Sequence, residues 1–235
     1  MALLGKAAML LSFDVVEDAI AEHDDWHTHE HLPERLSIPG FLRGTRWVSL
    51  DAKPRYFVVY EVDQLATLKS GAYVERLNNP SPWTSKMMQN YQGMARGFCS
   101  VSGSSGLGVG HVGLLVRLRP ETGIEASLRR WLLDDVLPQL PSRRGLGSAH
   151  LFEAALTPDM TSEQRIRGAD AGIDWALLVT GYDDDALATL MHADLDPARI
   201  GRRGGKAISG TMYRMQYMLT DREVSPGGRY DKPTI

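Results

Sequence analysis

The feature that most constrains this chain is that it repeats itself. Shifting it by 105 residues lays Trp131, Leu137, Pro138, Ser142 and Gly145 on Trp26, Leu32, Pro33, Ser37 and Gly40 without a gap. Five identities in fifteen positions stand against roughly one expected by chance, and self-similarity of this kind marks an internal repeat. Farther on, Leu65-Ala66-Thr67-Leu68 recurs as Leu187-Ala188-Thr189-Leu190, and a longer loop around residues 157–172 accounts for the changed offset. With 235 residues, 43% of them hydrophobic, the chain has material for two units of about 100 residues, each with a core.

Within the first unit, residues 8–13 form an apolar run of strand length, and 16–36 carry helical spacing. Pro39-Gly40 forces a turn, 43–50 alternates as a half-buried strand, and Tyr56–Val62 is the clearest strand, rich in β-branched and aromatic residues. Asp63 stands where it caps a helix through Leu65 and Leu68; a second piece spans 84–94, and 98–101 is the fourth strand. Ser102 to Gly110 reads as a flexible Gly/Ser linker, after which the order begins again with a strand at 112–118, a helix at 125–140 and a last strand at 212–219.

The predicted organisation is therefore a first repeat at 1–102, a linker at 103–110, a second repeat at 111–219 and a polar tail at 220–235. The order βαββαβ is the ferredoxin-like motif, an antiparallel sheet covered by helices on one face. The bare face of one copy needs the other. The predicted fold class is α+β, two ferredoxin-like repeats packed sheet to sheet as an intramolecular α/β barrel, with the ligand cavity between the sheets.

Charge and cysteine content narrow the partners. A formal net charge of −3 without a basic run gives no reason to bind nucleic acid or an anionic membrane, and no stretch is long and apolar enough to span one. The first thirteen residues are apolar, but Lys6 interrupts them and Asp14 ends the run, so a signal peptide is not expected. Cys99 is the only cysteine, so no intrachain disulfide forms and a cytoplasmic location is the expectation. A small apolar or aromatic molecule is the expected ligand, with homo-oligomers through the helical faces as a further expectation.

Three of the seven histidines fall within five residues, at His27, His29 and His31, and His23 lies a turn upstream. On a helix His23, His27, Glu30, His31 and Glu34 share one stripe while His29 points away. An imidazole near pH 7 takes or gives a proton, and a carboxylate one turn off fixes its tautomer; His31 with Glu34, or His27 with Glu30, thus has the makings of a general base. In the second repeat the positions of His27, His29 and His31 hold Leu132, Asp134 and Val136. Trp26, Leu32, Pro33 and Gly40, retained in both, therefore read as structural and the histidines as local to the first half.

Two other readings of the stripe stay open: a solvated helix face with mutually satisfied side chains, and a metal site, since His27-Thr28-His29-Glu30-His31 matches the H-x-x-E-H pattern of inverted zinc peptidases. Pro33 so soon after that pattern would disturb the helix it needs. No metal or other cofactor is expected. Arg46, Tyr60, Trp47 and Trp83 are the candidate ligand contacts, Arg46 and Tyr60 as polar handles, Trp47 as lining and Trp83 at the cavity mouth.

The repeated unit resembles the dimeric α/β-barrel superfamily. Trp26, His31-Leu32-Pro33, Ile38-Pro39-Gly40-Phe41 and the strand at 56–61 look like its EthD-type and stress-responsive branch. The resemblance implies His31 as the helix-1 histidine before a proline. It implies a cofactor-independent isomerase, cyclase or monooxygenase, or else a non-catalytic ligand-binding or stress-associated barrel; the metal-dependent hydrolase using His27, Glu30 and His31 is the third alternative.

Overall fold

The computed structural model describes residues 2–49, 52–156 and 160–224. Its strands are β1 (Ala7–Val15), β2 (Phe41–Val48), β3 (Tyr56–Val62), β4 (Tyr91–Gly106), β5 (Val112–Pro120), β6 (Leu146–Leu156), β7 (Ala171–Gly172), β8 (Trp175–Gly181) and β9 (Gly205–Thr220). The α-helices are α1 (Ile20–Trp26), α2 (Leu32–Leu36), α3 (Gly71–Asn78), α4 (Pro82–Met88), α5 (Glu125–Trp131), α6 (Ser162–Arg167), α7 (Asp184–Ala188) and α8 (Pro197–Gly201). No helix among the described residues is long and apolar enough to cross a membrane.

This is a mixed α+β fold built on one large sheet. Pairing runs β1-β3-β2-β9-β5-β8-β6-β4, and β4 pairs again with β1, so the hydrogen-bonded strands form a ring. Every pair in the ring is antiparallel. β4 lies beside both β1 and β6, and β9 beside both β5 and β2, so the two longest strands join the halves.

Alternation along each strand separates two faces. On β3, Tyr56, Val58, Tyr60 and Val62 pack outward with Trp26 and Leu32 of the first helical layer, whereas Phe57 and Val59 pack inward. The inside of the ring is filled. Leu10, Trp47, Phe57, Phe152, Leu178 and Tyr213 occupy it, and Trp47 lies so close to β5 that a Cβ on Gly113 would approach its ring to 3.0 Å. The expected cavity between the sheets is therefore replaced by core, because inward positions carry large side chains that meet across the ring. A polar group is held there too: Arg43 donates to Glu61 at 2.6 Å, and His150 lies 2.9 Å from the Ser104 hydroxyl and 3.1 Å from that of Ser148.

The Gly/Ser stretch is a second correction. Gly103, Ser104, Ser105 and Gly106 extend β4 and pair with Leu151, His150, Ala149 and Ser148 of β6. Their small side chains serve close packing, since a Cβ on Gly103 would come within 2.2 Å of Leu133. Asp63, expected as a helix cap, accepts from Thr67 Oγ1 at 2.5 Å and from the Gln64 amide at 2.7 Å, while Ser70 caps α3. The tail expected from Thr220 begins with a short helical turn over Asp221–Glu223; its remainder from 225, like Leu50 and residues 157–159 of the long loop, lies outside the described residues.

Candidate functional site

Between β1 and β2 the chain is helical from 17 to 36, but not uniformly α-helical. A π turn covers His27–His31, and the Leu32 amide donates to the His27 carbonyl five residues back. Pro33 explains it. A proline ring clashes with the carbonyl four residues earlier and brings no N–H, and a wider turn relieves that clash. The second half does the same ahead of Pro138: a π turn covers Leu132–Val136, and the Leu137 amide donates to Leu132. The disturbance expected of Pro33 takes this form.

The histidine stripe faces the sheet. His23, His27 and His31 are 0%, 1% and 5% exposed, which removes the solvated-face reading, while His29 lies on the exposed side. Successive ring centroids along the stripe are 5.5 Å apart, and the Trp26 ring stands 4.4 Å from that of His31. Burial first, then the positive charges of Arg46 and Arg35 respectively, hold the His27 and His31 pKa values well below the usual imidazole range. Both rings are neutral at pH 7.

The carboxylates expected to serve them are engaged elsewhere. Glu30 Oε1 accepts from Ser81 Oγ at 2.5 Å, Trp26 Nε1 at 3.1 Å and Thr84 Oγ1 at 3.3 Å, which ties the π turn to α4. Glu34 lies 3.4 Å from Arg76 Nη1. Asp24 does meet an imidazole of the stripe, lying 3.2 Å from His23 Nδ1; it also accepts from Tyr56 at 2.8 Å and Gln216 at 2.7 Å. Burial would raise its pKa, but these hydrogen bonds and Arg46 bring it down to about 2. No group of three His, Cys, Asp or Glu side chains among the described residues is placed to hold a metal ion.

Of the four expected ligand contacts, Tyr60 alone adjoins the stripe, its hydroxyl 3.4 Å from His27 Nε2. Arg46 is a clamp, donating to Gln216 at 2.7 Å, Thr28 at 3.0 Å and the Asp24 carbonyl at 3.1 Å. Trp47 lies inside the ring. Trp83 donates to Glu22 at 3.2 Å.

His27 and His31 line a cavity between helix and sheet, walled by Met9, Leu11, Tyr91 and Arg35 among others. Its volume is about 30 Å³, little more than room for a water molecule. The Nδ1 atoms of His27 and His31 and Nη1 of Arg35 are buried there without a hydrogen-bond partner among the described residues. The second half closes the cavity. α6 brings Glu163 onto Arg35 Nη2, Gln164 to 2.9 Å from Arg96, and Arg167, while Asp170 lies 2.8 Å from Arg96 and 2.9 Å from Arg167. A wider cleft of about 520 Å³, lined by Asp14, Glu17, Ile20, Ser49, Ala52 and Arg55 among others, has no histidine among its described lining residues.

Arg35 was within reach of the sequence, four residues after His31 on the same stripe. The α6 segment had a weaker signal, a long loop around residues 157–172, and long loops are often functional. Asp24 had none, since adjacent residues on a helix do not face each other.

No protein-family model and no curated protein sequence matches the chain. Its fold is matched by solved structures. An anthrone oxidase-like protein superposes with a TM-score of 0.66 at 10% identity, over 97% of this chain and 98% of the other. A candidate monooxygenase from Fusobacterium nucleatum gives 0.61 at 10% identity, over 93% and 96%; one from Lactobacillus acidophilus gives 0.59 at 8%, over 92% and 96%. At these identities the likeness is one of fold, and the chain shares the α+β architecture of proteins named as monooxygenase-type.

Proposed function

We propose that the chain binds a small apolar or aromatic molecule between the first-half helix and the sheet and transfers a proton to or from it, with His31 as base. The observation that carries this reading is the pair of buried, neutral imidazoles whose Nδ1 atoms lack partners at a cavity walled by Met9, Leu11 and Tyr91. A neutral imidazole shielded from water accepts a proton from an acidic C–H or O–H, and the Arg35 guanidinium beside it stabilises the anion that forms. Burial raises the pKa of Tyr60 and of Tyr91, so both stay protonated as donors. The reaction is then an isomerisation, a cyclisation or, with dioxygen as oxidant, a monooxygenation.

We further read the architecture as a tandem duplication, two ferredoxin-like repeats forming an intramolecular α/β barrel of EthD-like type, in the cytoplasm. Supporting the duplication are the order β4-β1-β3-β2 in one half and β9-β5-β8-β6 in the other, and the π turns 105 residues apart.

The test is anthrone, whose ring C–H is acidic and which a fold neighbour's name suggests. Oxidation in air is followed by absorbance with wild type and His31→Gln. Wild type should accelerate it, and the variant should lose about 10²-fold or more, as for removal of a general base. No acceleration, or equal rates, refutes the assignment for this substrate class. A non-catalytic binding protein is the second reading, favoured because no carboxylate among the described residues hydrogen-bonds to His27 or His31; it predicts ligand-induced shifts of the imidazole resonances without turnover.

A further inference from the structure

The cavity is closed by charges that do not belong to it. Arg35 and Arg96 stand on α2 and β4, 1% and 3% exposed, and their acidic partners Glu163 and Asp170 both come from the inserted segment of the second half. That segment has no counterpart in the first half, where β2 and β3 are joined directly. A cavity of about 30 Å³ holds no organic molecule, whereas ligand sites run to roughly 300–1,000 Å³. The α6 segment must therefore move for any substrate to bind.

Moving it takes away Glu163, Asp170 and Arg167 and leaves Arg35 and Arg96 facing the opened space. Glu34 remains near, but its Oε2 is 3.9 Å from Arg35 Nη1, too far for a hydrogen bond. Two buried guanidinium groups without partners are strongly unfavourable unless something anionic replaces what left. The second nitrogen of Arg35, Nη1, already lacks a partner with the segment closed, so the guanidinium has unused capacity for a bidentate acceptor.

We propose that Glu163 is an internal stand-in for the ligand's own acidic group, and that the site takes an aromatic acid whose carboxylate or phenolate displaces Glu163 from Arg35. This rests on the helix–sheet cavity being the ligand site. It adds that the ligand is an anion, that Arg35 reads its charge, and that α6 is an ionic latch competing with it.

The test compares 2-naphthoate with 2-naphthamide, equal in shape and differing in charge, by calorimetry and by the imidazole resonances of His27 and His31. Wild type should bind the acid about tenfold or more tightly than the amide, and more weakly as salt is added. Glu163→Gln, which removes the competitor and loosens the latch, should tighten naphthoate binding severalfold and by clearly more than it tightens naphthamide. The wild-type comparison needs no variant to fold. If the amide shifts the histidine resonances and binds as tightly as the acid, the cavity reading stands and the anion proposal fails. If neither ligand binds, both fail. If the acid binds without moving either histidine, it occupies another site, which also overturns both. Equal naphthoate affinity in wild type and a folded Glu163→Gln refutes the stand-in role.

Discussion

Acid should loosen this protein well above the pH at which its carboxylates titrate. His27 and His31 are held neutral by burial, and burial with the nearby Arg43 charge lowers the His150 pKa to about 4. In the unfolded chain each titrates near 6.5. Below that value the unfolded state binds protons the folded state refuses, so stability is full above about pH 6.5 and is lost as pH falls toward the folded pKa. Between about pH 7.5 and about pH 5 His150 alone costs about 2 kcal/mol, and His27 and His31 add to the loss in the same direction. His23, also lowered by burial, adds to this. Glu34 and Glu61, raised by burial, bind protons more readily when folded and offset part of it. Asp24, at about 2, contributes only below about pH 4. Set against a total of about 5–15 kcal/mol for a typical domain, the net loss is large. The assay is guanidinium unfolding followed by tryptophan fluorescence across this range, with His150→Gln as control. The variant should remove about 2 kcal/mol of the pH dependence. A wild-type free energy that changes by less than about 1 kcal/mol would mean that the imidazoles are hydrated, contrary to their burial.

Three further outcomes follow from single contacts. Glu30→Ala leaves Trp26 Nε1 only its 3.3 Å bond to Thr84 Oγ1 and takes the acceptor from the Ser81 and Thr84 hydroxyls; it should cost about 1–3 kcal/mol in urea unfolding, a loss that an unchanged midpoint excludes. Gly44→Ala puts a Cβ within 2.4 Å of Leu32 and 3.2 Å of the Tyr60 ring, lifting α2 from the sheet at about 1–3 kcal/mol; a neutral result would show that the helix can shift freely. The Cys99 thiol, buried inside the ring and pushed up to about 12 by that burial, should resist a thiol reagent until the protein unfolds, and rapid labelling under native conditions contradicts the packing.

Much of this architecture was legible because it follows from periodicity. The strand at Tyr56–Val62 alternates visibly, and the spacing of Trp26, Pro33 and Gly40 recurs in Trp131, Pro138 and Gly145. Extent was less legible. β4 runs five residues past Val101 through glycines and serines whose composition suggests flexibility, and only the Leu133 side chain lying against Gly103 explains why small residues are required. Within the site, spacing correctly put His23, His27 and His31 on one stripe but could not say that the stripe faces inward. Nor could it reveal that Glu163, 128 residues from Arg35 in sequence, completes the cavity. Contacts between distant segments leave no local pattern.

The two long strands have a mechanical consequence. Residues 107–111 join the halves on the surface, with Leu107 80% exposed, yet the halves also hold each other through the β4–β6 and β2–β9 ladders. The covalent link therefore supplies effective concentration rather than cohesion. A chain nicked there keeps both ladders, each fragment offering the other a sixteen-residue strand. Unfolding one half exposes the strand edges of its neighbour, so the halves melt together, as a single cooperative unit that spans both.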